Sequence, residues 1–237
     1  MADTASTQAF RRGVRDGAPF LLVVAPFGFV FGVIGVEAGL GTAEVLGFSV
    51  LVIAGASQLA AVQLMAEGAP MAVVLATALA INLRMAMYSA ALAPHLGSLP
   101  LGRRGVMAYF LVDQSFAASA LEFERRPEMS VEEKAAYFFG VVTPVCAPWY
   151  VATLAGALLG TGLPPGWGLD FAVPITFLAV IAPMLRTPAH MAAAAVSVGG
   201  ALALAVLPWN LGLLLAALAA MATGAAVEIA AERRAAR

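Results

Sequence analysis

The stretch GAPFLLVVAPFGFVFGVIGV, Gly17 to Val36, lies between Asp16 and Glu37 and carries no charge. Twenty such residues coiled as helix cover about 30 Å, the thickness of a bilayer's hydrocarbon core. Arg11, Arg12 and Arg15 stand just before it. A secretory leader also has a basic flank, but its apolar core is about 7–15 residues long and ends at a small-residue cleavage site. No clear site of that kind follows here, so Gly17 to Val36 reads as a first membrane span.

The same reading extends along the chain. Of 237 residues, 62% are apolar and only 11% charged, with a mean hydropathy of +0.91, which leaves too little polar surface for a soluble domain. Charges then act as rulers. Val45 to Met65 is a second span between Glu44 and Glu67; Ala69 to Pro94 is a third, interrupted by Arg84; Gly105 to Leu121 is a short fourth, interrupted by Asp113. EFERRPEMSVEEK, Glu122 to Lys134, reads as a solvated loop. The uncharged run from Ala135 gives a fifth span ending near Gly160, Phe171 to Leu185 a sixth, and Pro188 to Val227 two more with Pro208, Trp209 and Asn210 as the turn. The expected architecture is all-α: a polytopic helical membrane protein with about eight transmembrane segments, seven being the alternative, some short or broken near the midplane. Residues 1–237 read as a single transmembrane domain.

Placing the N-terminus in the cytoplasm puts ten of thirteen Lys and Arg inside, leaving Arg103 and Arg104 outside and Arg84 within a span. That predicts a multi-pass protein with both termini cytoplasmic. The net charge of −1 gives no basic excess to suggest a nucleic-acid partner. With Cys146 as the single cysteine, no internal disulfide is possible; no metal cluster is evident in the sequence and no cofactor is expected.

Polar groups at midplane depth are the informative feature. Asp113 is central in its stretch, Arg84 is central in its own with Asn82 nearby, and Ser57 and Gln58 lie just past the middle of the second span. An Arg or Asp there costs about 2.5 to 3.5 kcal/mol on insertion scales, so such residues pair, face a wet cavity, or work. Arg84 and Tyr88 share a helical face, whereas Asn82 and Arg84 lie about 200° apart. Either the helix unwinds there or one of the two faces a neighbour. An Arg84–Asp113 ion pair that merely ties two helices together is the plain alternative to a binding site. Ser57, and the GxxxG pair Gly28 and Gly32, suit helix packing. Gln58 is harder to place in hydrocarbon because its amide has four hydrogen-bonding positions. Gly55 to Ser57, and Pro144 with Pro148, mark sites where helices break or loosen.

PFGFVFGVIGVEAGL at Pro26 to Leu40, AGASQLAAVQL at Ala54 to Leu64, INLRMAMYSAALAP at Ile81 to Pro94 and LVDQSFA at Leu111 to Ala117 resemble the AzlC family, the large subunit of branched-chain amino acid permeases. TLAGALLG at Thr153 to Gly160 and LDFAVPITFLA at Leu169 to Ala179 continue the likeness. The resemblance implies a transporter, not an enzyme, that exports branched-chain amino acids across the inner membrane with a small AzlD-type membrane subunit. The matched positions are Ser57, Gln58, Asn82, Arg84, Asp113 and Asp170. Two positions depart from the pattern: Met85 stands where many relatives have His, and Gln114 where many have Glu.

A zwitterionic amino acid needs a cationic place for its carboxylate, an anionic one for its ammonium, and an apolar pocket. Ser57, Gln58, Asn82, Arg84 and Asp113 are the expected substrate-binding residues: Arg84, with N–H groups near Gly55 to Ser57, for the carboxylate, Asp113 and Gln58 for the ammonium, Met85 and Phe116 for the aliphatic group. Asp113 is also the expected proton-coupling site. The competing readings are transport of another small solute and an intramembrane serine hydrolase using Ser57 with His95 or His190.

Overall fold

The computed structural model describes residues 2–160, 185, 187–208 and 211–235. The predicted sixth span, apart from its last residue Leu185, and Asp170 lie outside them. The described secondary structure is helical throughout, and four of its helices, Thr4–Glu37, Met71–Leu96, Val131–Leu159 and Leu211–Ala231, are long and apolar enough to cross a membrane. The chain is a polytopic helical membrane protein. It divides into two units, one of residues 1–63 and 78–169, the other of residues 64–77 and 170–237.

The first unit is built on a parallel pair. Helix α1 (Ala2–Gly17) passes through a short 3-10 turn (Ala18–Phe20) into α2 (Leu21–Glu37), and both lie along α8 (Val131–Leu159). Glycines set the closeness. A Cβ on Gly32 would run into the carbonyl of Thr153, and one on Gly156 into the carbonyl of Phe29. Gly13 and Gly140 make the same backbone-to-backbone approach one layer earlier, so the GxxxG face is packing surface, as the sequence suggests. Pro144 and Pro148 were expected to break the fifth span, but α8 runs through both without interruption. Proline is tolerated inside a membrane helix where neighbouring helices and Ser or Thr hydroxyls occupy the freed backbone groups.

The predicted second span is two helices, α3 (Thr42–Val52) and α4 (Gly55–Ala66), separated at Ile53 and Ala54. The chain reverses there. Gln58 Nε2 donates to Ser49 Oγ at 3.0 Å, although nine residues of straight helix would hold them about 13 Å apart along the axis. Ile53 takes a left-handed conformation, φ +39°, costly for a β-branched residue. Gly55 is needed because a Cβ would strike the rings of Phe27 and Trp149.

The predicted fourth span is also a hairpin. Its arms are α6 (Leu101–Tyr109) and α7 (Asp113–Arg125), about 13 and 20 Å long, each too short to cross a bilayer. Helix α5 (Met71–Leu96) is one continuous helix, so the local unwinding considered for Asn82 and Arg84 does not occur. It runs alongside α7 in the same direction: Arg84 meets Asp113 at 3.3 Å, Tyr88 stacks on Phe116 at 4.2 Å, and His95 meets Phe123 at 5.4 Å. The open end of the hairpin gathers the end of α5 and the starts of α6 and α8. Arg103 pairs with Glu132 at 2.6 Å, and His95 Nδ1 lies 3.4 Å from Lys134 Nζ.

Arg103 therefore sits at the same end of this unit as α1, whose Arg12 reaches Glu122 at 3.3 Å, and not on the opposite side as hydropathy suggested. The polar segment Glu122 to Lys134 is likewise no loop throughout: α7 continues to Arg125 and α8 starts at Val131. Glu122 is buried between Arg12 and Arg126, and Lys134 is buried beside the Phe123 ring. Paired charges let these helices project past the apolar layer. Ser130 and Glu133 close a capping box at the start of α8.

In the second unit, α9 (Pro188–Ala203) and α10 (Leu211–Ala235) pack antiparallel, Gly200 against Ala216 and Gly224 against Ala193. The chain leaves α9 at 204–208, earlier than expected; of the predicted turn residues only Pro208 is described, and Trp209 and Asn210 lie outside the described residues.

Candidate functional site

Arg84 lies at the middle of α5, about 18–20 Å of helix from either end, and its Nη2 is 3.3 Å from Asp113 Oδ2. Asp113 is the first residue of α7, at the tip of the hairpin, where the positive end of the helix dipole favours a carboxylate. Tyr88, one turn after Arg84, donates its hydroxyl to Asp113 Oδ1 at 3.0 Å. Each oxygen of Asp113 thus has a partner from α5. The Tyr88 ring lies flat on Phe116, with planes 9° apart, so the hairpin tip is held by a charge pair, a hydrogen bond and a stacked ring.

Local sequence builds this tip. Leu111 and Val112 interrupt the helix, and Ser115 locks the turn: its Oγ accepts from the Val112 N–H at 2.9 Å and lies 3.0 Å from both the Phe110 and Val112 carbonyls, between which its single O–H is shared. Asp113 is thereby fixed facing α5. The pair is not sealed, since the side chains of Arg84 and Asp113 are 30% and 45% accessible. Arg84 Nε and, on the other flank of α5, Asn82 Oδ1 are buried without hydrogen-bond partners. Arg84 has five N–H donors and commits one nitrogen to Asp113, so most of its donor capacity is available.

Ser57 and Gln58 belong to the other hairpin. Both are fully buried, Ser57 Oγ donates to the Ala54 carbonyl at 2.9 Å, and neither bonds to Arg84 or Asp113. In an unbroken helix the Ala54 N–H would bond to the Val50 carbonyl. Here Gln58 Oε1 takes the N–H at 3.1 Å and Tyr109, at the end of α6, donates its hydroxyl to the carbonyl at 2.5 Å. Tyr109 also meets the Tyr150 hydroxyl of α8 at 2.8 Å, and Ser49 Oγ meets Thr153 Oγ1 at 3.4 Å. The break in α3–α4 is therefore satisfied by side chains, and the end of α6 touches it. Of the expected site residues, the fold joins Arg84 to Asp113, sets Asn82 on a different flank of α5, and places Ser57 and Gln58 inside the α3–α4 turn. Tyr88 was marked in the sequence only by its spacing from Arg84; nothing there singled out Ser49, Tyr109, Tyr150 or Thr153.

The AzlC family profile, described as AzlC protein, matches residues 19–163, more than half of the chain. The chain belongs to the AzlC family. Its AzlC region thus spans both hairpins and α8. The chain is 30% identical over 226 residues to an uncharacterized membrane protein of Archaeoglobus fulgidus, covering 92% of this chain and 95% of the relative. It is 25% identical over 196 residues to the inner membrane protein YgaZ of Escherichia coli, covering 80% and 79%. No solved structure matches.

The serine hydrolase reading with His95 as the base lacks its geometry in this AzlC-family chain. Ser57 Oγ is bonded to a backbone carbonyl, whereas His95 lies at the end of α5 with Lys134 and Phe123. A general base must reach the hydroxyl it activates, and His95 does not.

Proposed function

We propose that the chain is the large subunit of a secondary transporter that exports branched-chain or other aliphatic amino acids across the inner membrane, coupled to protons through Asp113, together with a small AzlD-type membrane subunit. The observation that carries this reading is the Arg84–Asp113–Tyr88 cluster, half-way along α5 and open on one flank. A charged pair at that depth with accessible side chains does not suit lipid contact; a water-filled cavity or a bound polar solute does.

Arg84 offers its unused N–H groups to the substrate carboxylate, and Asp113 faces the ammonium. Protonation of Asp113 weakens its hold on Arg84, so proton and substrate act on one carboxylate. Ser57 and Gln58 join the substrate contact only if the α3–α4 turn opens. Beside Tyr88, a cavity of about 340 Å³ starts at Ser89 and is walled by Leu92, Leu96, Met107, Leu111 and Phe138. Its size and apolar wall suit an aliphatic side chain. The N-terminal end of the first unit, with Arg11, Arg12, Arg15, Arg103, Arg104, Arg125, Arg126 and Lys134, is the cytoplasmic end under the positive-inside rule.

The test is efflux of labelled valine from cells loaded with a valine dipeptide, with and without the small subunit and under imposed pH gradients. Efflux should depend on both, and Asp113→Asn should abolish it while the protein stays in the membrane. Efflux by Asp113→Asn at the wild-type rate would remove Asp113 from the site.

A further inference from the structure

A second cavity, of about 790 Å³, lies between α1, the 3-10 turn, α7 and α8, and reaches along α7 from Ala117, one turn past Asp113, to Arg125 at the far end of that helix. Four arginines line it, Arg12, Arg15, Arg125 and Arg126, with two carboxylates, Asp16 and Glu122. Glu122 is held by Arg12 at 3.3 Å and Arg126 at 3.2 Å. Asp16 is held by Arg15 at 3.4 Å and by the Tyr137 hydroxyl at 3.1 Å. Four cations against two anions leave an excess of two positive charges, and Arg125 has no ion-pair partner among the described residues.

The rest of the lining is apolar: Pro19 and Phe20, where α1 gives way to the apolar α2, and the half-exposed Leu121 of α7. The next residue along α2, Leu21, is 40% accessible and Leu22 is 81% accessible, as expected of a surface meeting hydrocarbon. The cavity therefore combines an uncompensated cationic rim with an apolar floor at the boundary between a polar helix and a membrane-spanning one. A soluble anion would use the rim alone. An amphiphile with a negative headgroup uses both.

We propose that this cavity is a binding site for the headgroup of an anionic phospholipid, its phosphate between Arg15 and Arg125 and its acyl chains passing over Phe20 and Leu121. Basic clusters beside membrane helices attract anionic headgroups, and each arginine near the surface strengthens binding about fivefold. The site makes no use of the transport pair.

The experiment titrates phosphatidylglycerol into the purified full-length protein in neutral-lipid nanodiscs and follows the apparent melting temperature, without substrate. Phosphatidylcholine and inorganic phosphate form the control arms. Wild type should be stabilised in a saturable way by phosphatidylglycerol only. Arg125→Gln should weaken the apparent affinity about fivefold, and Arg15→Gln with Arg125→Gln about 25-fold. Arg125 is exposed and unpaired, so the single variant tests the site even if the double variant folds poorly. An unchanged response in Arg125→Gln, or equal stabilisation by inorganic phosphate, would overturn the proposal. Each outcome reads lipid binding separately from transport, so failure here leaves the reading of Arg84 and Asp113 untouched.

Discussion

Gln58→Leu removes the side chain that holds the α3–α4 turn closed. In the wild type, Gln58 is 0% accessible, accepts from the Ala54 N–H at 3.1 Å and donates to Ser49 Oγ at 3.0 Å. Leucine fits the volume but provides neither bond. The Ala54 N–H cannot revert to the Val50 carbonyl without closing the break, because that carbonyl is taken by Tyr109 and the chain has reversed direction. An orphaned buried N–H costs about 1–3 kcal/mol, and loss of the bond to Ser49 adds about 1 kcal/mol, since Ser49 keeps Thr153. The sum is about 2–4 kcal/mol. For a chain of this size, each kcal/mol moves the midpoint by about 2–4 °C, so the apparent melting temperature in detergent should fall by about 5–15 °C. A Gln58→Leu protein that melts within about 2 °C of wild type would refute the assignment of Gln58 to the turn.

Gly32→Leu should prevent α2 from seating on α8, because its Cβ alone would collide with the Thr153 carbonyl; the expected result is loss of monodisperse protein on size exclusion, with Gly47→Ala, which meets nothing, as the tolerated control. Tyr88→Phe removes the hydrogen bond to Asp113 but keeps the stack on Phe116, so export should drop several-fold with its pH dependence shifted, and an unchanged pH profile would detach Tyr88 from coupling. Arg103→Cys and Arg11→Cys should react with a membrane-impermeant maleimide from the same side of sealed vesicles. The native Cys146 is buried and should give little background. Labelling from opposite sides would restore the predicted span in place of the α6–α7 hairpin.

Hydropathy reports how long a segment stays apolar, and that was enough to locate α2, α5, α8 and the α9–α10 pair. It carries no information on direction. Gly105 to Leu121 carries one charge, Asp113, and has nearly the length of a crossing, and only Arg103–Glu132 together with the Arg84–Asp113, Tyr88–Phe116 and His95–Phe123 ladder shows that the segment turns back. The break after Val52 was legible through Gly55, whereas the break before Asp113 was not, because Phe110, Leu111 and Val112 look like ordinary span interior. Pro144 and Pro148 misled in the other direction, since a tightly packed neighbour can carry a helix through proline. The pairing of Arg84 with Asp113 was legible because two opposite charges deep in apolar sequence have few other partners. The burial of Gln58 in a turn needed the fold, because its partners are a backbone N–H freed by chain reversal and a serine nine residues back.

Under the proposed function, Arg84 and Asp113 act on substrate and proton as well as on each other. The most direct measurement is dipeptide-loaded valine export by the reciprocal exchange, Arg84→Asp with Asp113→Arg, in protein shown to be folded and in the membrane. No export above background is expected, because the swap rebuilds the ion pair but moves the carboxylate off the hairpin tip and away from Tyr88. Export restored to the wild-type rate would show that the pair only holds α5 to α7, and would contradict the proposed function.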